Sequence, residues 1–126
     1  MPKFAVHRDA MTAAFFDGTA RGEFLVVKDT RTGEVLTPQF DVTVDPDRYA
    51  YVPAAGTGTV VSWSVVHERT PDGTRRIPVG IVELDEGPWW WTQIDGFPPD
   101  TDLMGRRVRV AFEKLEDEAL PYFTAA

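Results

Sequence analysis

Few side chains in this sequence could carry out covalent or proton-transfer chemistry. His67 and Glu68 close an apolar run, Thr59-Val-Val-Ser-Trp-Ser-Val-Val-His-Glu. An imidazole there could take up or release a proton near neutral pH, with the carboxylate as its counterpart. No nucleophile motif accompanies the pair, so a histidine at a strand end reads first as a hydrogen-bonded or rim residue. His7 falls in an N-terminal tail. Glu113, Glu116, Asp117 and Glu118 could be read as the paired carboxylates of a glycosidase, but a charge run beside a turn reads as a solvated face. Gly56-Thr-Gly-Thr precedes a strand and offers no helix N-terminus to hold a phosphate; it reads as a bend. Arg75, Arg76, Arg107 and Arg109 are the side chains suited to gripping a phosphate or a carboxylate two-pronged. Their expected contacts are a phosphate group or an acidic partner surface, with simple solubilisation as the plainer reading. No catalytic residue and no metal ligand is assigned.

Three consecutive tryptophans, Trp89, Trp90 and Trp91, are the feature that folding alone explains least. On a strand, Trp89 and Trp91 point to one face and Trp90 to the other, and a barrel strand has one face inside. Burying about 200 Å² of indole at about 25 cal/mol/Å² is worth up to roughly 5 kcal/mol, so an outward ring needs cover. Either the N-terminal helix or the segment after it covers that ring, or the ring anchors a partner, tryptophan being enriched at interface centres. A stacking platform for single-stranded nucleic acid is the third use of such rings. The charge opposes it. The 126 residues carry 13 basic and 20 acidic side chains, a net charge of −7, and such a surface gains little from a polyanion. The chain has no cysteine, which removes disulfides, thiolate nucleophiles and Cys-based zinc sites. No signal-like N-terminus and no stretch approaching roughly 18 apolar residues is present, so a cytoplasmic protein off the membrane is expected.

The elements that must position these residues follow from turn signals and alternation. A short helix is expected from Asp9 to Thr19, docked by Phe15 and Phe16. Glu23–Lys28 and Glu34–Thr37 read as a modest hairpin around Thr30-Arg-Thr-Gly33. Residues 38–58, with Pro38, Pro46, Pro53, Gly56 and Gly58, read as an irregular connector pinned by Phe40, Tyr49 and Tyr51. Strands follow at Thr59–Glu68, Ile77–Asp85 and Trp89–Asp95. Arg107–Glu113 alternates polar and apolar throughout, and Leu120–Thr124 closes the chain with Pro121 suited to an edge. Five strands with a longer link between the third and fourth fit an OB-type Greek-key barrel, with an SH3-like barrel as the competitor.

The stretches Phe15-Phe-Asp-Gly, Gly22-Glu-Phe-Leu, Gly56-Thr-Gly-Thr-Val-Val-Ser-Trp-Ser-Val-Val-His67, Ile81-Val-Glu-Leu-Asp-Glu-Gly87, Val108-Arg-Val-Ala-Phe-Glu-Lys-Leu-Glu-Asp117 and Leu120-Pro-Tyr-Phe123 together resemble the acyl-CoA-associated zinc-ribbon and OB-fold family, domain of unknown function thirty-five. The resemblance runs over almost the whole chain. It implies a mainly β protein: an N-terminal helical segment (1–22), a zinc-ribbon-like segment (23–56) and a five-stranded OB barrel (57–126). The family's two Cys-x-x-Cys knuckles correspond here to Asp29 and Thr32 and to the stretch Asp41–Val44. Oxygen ligands at that spacing suit zinc poorly, so a degenerate, metal-free ribbon is expected.

The resemblance further implies a non-catalytic accessory subunit of a thiolase-fold acyl-CoA enzyme, of the thiolase, acyltransferase or steroid side-chain aldolase type. The setting would be lipid or steroid degradation, or polyketide-like metabolism. A MaoC-like hydratase is a further candidate partner, and hetero-oligomers are expected. No cofactor is expected on the chain itself, with a coenzyme A thioester as substrate of the complex and Arg75, Arg76, Arg107 and Arg109 as the expected contacts to its phosphates or to an acidic partner surface. Phe15, Phe16, Trp89, Trp90, Trp91, Tyr122 and Phe123 form the expected contact set, with Trp90→Ala expected to weaken the complex and spare the fold. The alternatives are a free-standing acyl-CoA hydratase or hydrolase using His67, and an OB-fold nucleic-acid binder.

Overall fold

The computed structural model describes residues 12–115 and 118–126. His7, the expected helix start at Asp9, and Glu116 and Asp117 of the acidic run lie outside the described residues. The helix α1 runs Ala13–Ala20. Behind it come two β units. The first is a three-stranded antiparallel sheet of β1 (Leu25–Asp29), β2 (Val35–Leu36) and β3 (Tyr49–Pro53), in the order β2-β1-β3. The second is a closed barrel of β4 (Thr57–Thr70), β5 (Gly73–Leu84), β6 (Trp89–Asp95), β7 (Arg107–Leu115) and β8 (Glu118–Ala125).

The barrel order β4-β5-β6-β8-β7, with β7 returning to β4, decides between the two small-barrel readings. The third strand lies parallel to the fifth (Ile94↔Phe123), and every other pairing is antiparallel. That is the OB arrangement. The β6–β8 ladder spans Ile94↔Phe123 and Asp95↔Thr124, so Pro121 falls outside it and its missing N–H costs no rung there. β4 and β5 are longer than expected, and their hairpin reaches past the barrel to a turn at Thr70–Gly73. A register shift between Val60 and Ser62 bends β4 into the barrel wall. Gly80 sits opposite that bend: a Cβ there would collide with the Ser62 carbonyl oxygen and reach Ile94 Cδ1 at 2.9 Å. Only glycine lets the two backbones approach this closely.

Val60, Val82, Leu84, Ile94, Leu103, Val108 and Phe123 fill the barrel. One end is stoppered by aromatic rings from three elements. Phe24 makes edge-on contacts with Trp90 (5.2 Å between centroids), Phe15 (5.6 Å) and Phe123 (5.8 Å). Phe15 also lies 5.7 Å from Trp90. Such tilted pairs match the ring quadrupoles and add to the area buried. The helix and the first sheet are thereby joined to the barrel through one core.

The connector expected to be irregular contains β3, which is a correction. Tyr49-Ala-Tyr-Val-Pro pairs with β1 over five residues, Leu25↔Pro53 to Asp29↔Tyr49. Prolines and aspartates on either side conceal a run of strong strand formers. Upstream of it, Val42–Val44 forms a 3₁₀ turn capped by Asp41, whose carboxylate accepts from the Thr43 amide at 2.9 Å.

At the position of the first family knuckle the carboxylate of Asp29 is 3% exposed. It accepts the Arg31 amide at 3.0 Å and, from Arg48 just before the adjacent strand β3, Nη2 at 2.7 Å and Nε at 3.1 Å. The Arg48 carbonyl in turn accepts the amide and hydroxyl of Thr30 (2.8 and 2.7 Å), and its guanidinium lies 5.3 Å from the Tyr49 ring, which packs on Phe40 at 4.6 Å. A two-pronged ion pair between a buried carboxylate and a half-buried guanidinium thus ties together β1, the turn after it and the entry to β3. Arg48 holds the Asp29 carboxyl well below the ordinary carboxylate range, reinforced by the Arg31 and Thr32 amides.

A carboxyl whose folded pKa is depressed stabilises the fold above its unfolded pKa, about 3.9, and that contribution is lost as pH falls toward the folded value. In Asp29→Asn the three-stranded sheet should therefore be weakened at neutral pH, and the acid loss of the wild-type Tyr49 and Tyr51 signals below about pH 4 should disappear. NMR of those two tyrosines across an acid titration checks this. Identical profiles in the two proteins would show that the pair contributes nothing.

Candidate partner-binding face

The tryptophan triplet is divided by the strand that carries it. Trp90 is opposite Val82 and belongs with Thr92 and Ile94 on the inner face, closing the aromatic stopper. Trp89 and Trp91 stand on the outer face, 57% and 63% exposed. Neither α1 nor the first sheet covers them. Across the ladders, Trp91 neighbours Ile81 and Ser62, Gln93 neighbours Val79 and Ser64, and Ile77 neighbours Val66. Directly opposed residues share a face. The outer surface of β4, β5 and β6 therefore carries a stripe from Trp91 through Ile81, Val79 and Ile77 to the exposed Val66. Glu83, beside Trp89, marks its acidic margin.

The rest of the expected contact set separates by burial. Phe15 and Phe123 are buried and Trp90 is packed in the core, so these three are structural in this fold. Phe16 packs half-buried against the core at 5.5 Å from Phe15, and Tyr122 is half-buried on β8 opposite Ala111. The expected surface contracts to Trp89 and Trp91. Ile77, Val79, Ile81 and Val66 extend it, and sequence reading did not single them out. Their alternation was visible, but which face of a two-faced hairpin would stay outside was not.

The arginines do not gather. Arg107 grips Asp85 with two parallel bonds, Nη1 to Oδ1 at 2.7 Å and Nη2 to Oδ2 at 2.8 Å, and Nη1 also donates to Thr59 Oγ1 at 3.0 Å. This bond, with a second from the Thr57 hydroxyl, holds the Asp85 carboxyl well below its usual range. Arg75 pairs with Glu68 and Arg76 with Asp100, at 2.7 and 2.8 Å. Arg109 is exposed on β7, and no ion pair to it is present among the described residues.

His67 is exposed on the long hairpin, opposite Arg76. Its neighbour Glu68 points to the other face of the strand and is held by Arg75, so the two do not form an acid–base pair. Among the described residues no three His, Asp or Glu side chains are gathered around a point that could hold a metal, and no helix is long and apolar enough to cross a membrane.

A family model for the C-terminal OB-fold domain of ChsH2 matches residues 51–113, from within β3 through most of β7. Among solved structures, a chain of the "Ltp2-ChsH2(DUF35) aldolase" superposes with a TM-score of 0.73 at 24% sequence identity, covering 98% of each chain. The likeness thus takes in the helix, the three-stranded sheet and the barrel. No curated protein matches the chain.

Proposed function

Because the chain belongs to the family of the ChsH2 C-terminal OB-fold domain, we propose that it is a non-catalytic accessory subunit that docks on a thiolase-fold acyl-CoA enzyme through the outer face of β4, β5 and β6. The observation that carries this reading is the exposure of Trp89 and Trp91 beside a stripe of half-buried aliphatic side chains that ends at the exposed Val66. Two bare indoles are costly in water and are the side chains most often found at the energetic centre of an interface. The solved neighbour is itself named as part of an aldolase of two components, which supports a two-protein assembly. The complex would act on a coenzyme A thioester held by the enzyme subunit. With three of the four candidate arginines already paired to carboxylates, CoA phosphate contacts from this chain would fall to Arg109. We confine the reading to a thiolase-fold partner, since neither comparison names a MaoC-like hydratase.

Co-expression of the tagged chain with thiolase-fold enzymes of its own source, followed by light scattering of the purified product, tests the proposal. A stoichiometric complex whose enzyme gains stability or turnover is the expected result. A chain that stays monomeric beside every such enzyme would overturn it.

A further inference from the structure

A second unassigned site lies on the opposite side of the long hairpin, away from the tryptophan face. The inner side of β4 and β5 beyond the barrel and the loop from β6 to β7 enclose a cavity of about 450 Å³. Its walls are Trp63, Val65, Pro78, Ile94, Phe97 and Leu103. The size and the apolar, aromatic lining fall in the range of small-molecule sites. A hole of this size lined by such side chains also forfeits packing that the barrel interior makes everywhere else.

The rim limits what can enter. Arg76 is the one cation among the lining residues, and its Nη2 is bonded to Asp100 Oδ1 at 2.8 Å. Asp95 is the other charged lining residue. An anionic head would therefore meet the Asp100 carboxylate and a guanidinium already paired to it, the Asp95 carboxylate being bonded to Gln93 Nε2 at 3.2 Å. Asp100 sits at φ 65° in the left-handed region, the one non-glycine residue with positive φ among the described residues. A residue other than glycine adopts that conformation at a cost, and asparagine and aspartate tolerate it best. The loop Gly96–Arg106 thus crosses the cavity with Asp100 in a left-handed conformation and its exposed side chain paired to Arg76 of the hairpin.

We propose that this cavity binds a small uncharged apolar molecule, a ring or a short alkyl body, beneath the Arg76–Asp100 latch. The site is separate from the partner-binding face and does not depend on it. Titration with 1-naphthol and with 1-naphthoate, followed through the methyl signals of Ile94 and Leu103, tests it. The neutral probe should shift both signals saturably, and the anion should bind about tenfold more weakly, as expected where an unpaired charge meets carboxylates.

Val65→Trp, which places an indole in the cavity and narrows it, should weaken the apparent affinity read from the naphthol shifts by about tenfold or more. Asp100→Asn keeps a residue that accepts positive φ while freeing Arg76, so affinity for 1-naphthoate should rise about tenfold relative to 1-naphthol through a charge-assisted bond. Shifts confined to the Trp89 and Trp91 face, no saturable shift at Ile94 and Leu103, or an Asp100→Asn protein with unchanged preference would each overturn the proposal.

Discussion

Trp90→Ala is expected to lower the stability of the fold by about 3 kcal/mol, the lower end for deleting a large aromatic from a core because the ring is not wholly buried. In a domain of this size the thermal midpoint should fall by roughly 10 °C. The loss should be cooperative over the whole molecule, because the indole touches Phe15 of the helix and Phe24 at the entrance to the first sheet while standing on a barrel strand. Removing it opens a cavity where three elements meet, and Phe24, Phe15 and Phe123 cannot close on one another without moving their backbones. This reverses the expectation from sequence that Trp90 belongs to the surface and that its loss would spare the fold. Thermal denaturation followed by near-ultraviolet circular dichroism checks it. A midpoint within a degree or two of the wild type would mean that the stopper is looser than its ring distances indicate.

What could be read from the sequence follows how local each signal is. Arg107–Glu113 alternates so regularly that its start and its inward residues, Val108 foremost, were legible, while the strand itself runs on to Leu115. The Trp89–Asp95 strand was bounded correctly because turn residues flank it on both sides. The alternation of the triplet was legible as well, but its sense was not. Whether Trp90 or the pair Trp89 and Trp91 faces inward depends on the pairing Val82↔Trp90, and pairing is a long-range fact.

β3 escaped because prolines at 46 and 53 and three nearby aspartates mimic a loop, while its partner β1 lies over 20 residues away. The ion pair that ties β1 to the entry of β3 was half visible. Asp29 was singled out as a substitute for a knuckle cysteine, but Arg48, which supplies the compensating charge, carries no motif and is 19 residues distant. Its meaning comes from the fold that places it against Asp29. The same holds for the arginines taken as phosphate contacts: Asp85, Asp100 and Glu68 were spread along the sequence, and only the fold, by strand pairing or by loop placement, brings each to its partner.

Replacing both Trp89 and Trp91 by serine should abolish partner binding while leaving the fold intact, and this contrast with Trp90 is the sharpest available test of the proposed face. Each ring is more than half exposed, so little core packing is lost and stability should change by about 0.5 kcal/mol or less. In a complex the same two rings would be desolvated near the centre of the contact. A hot-spot truncation costs about 2 kcal/mol or more, and with a factor of ten per 1.4 kcal/mol the pair should weaken the complex by about 100-fold or more. Conservative Trp→Phe changes at the same positions should retain most of the affinity if apolar area is what matters, since a phenyl ring keeps much of the buried surface. Charge reversal at Glu83 beside Trp89 should act differently. A rim charge alters the rate of encounter and its salt dependence more than the lifetime of the complex. Affinity measured by titration calorimetry, with thermal stability recorded on the same samples, separates the outcomes. A double variant that binds as tightly as the wild type would remove the outer sheet face from consideration and direct attention to the half-buried Phe16 and Tyr122. One that no longer folds would show that the two indoles carry the stability of the fold and not a contact with a partner.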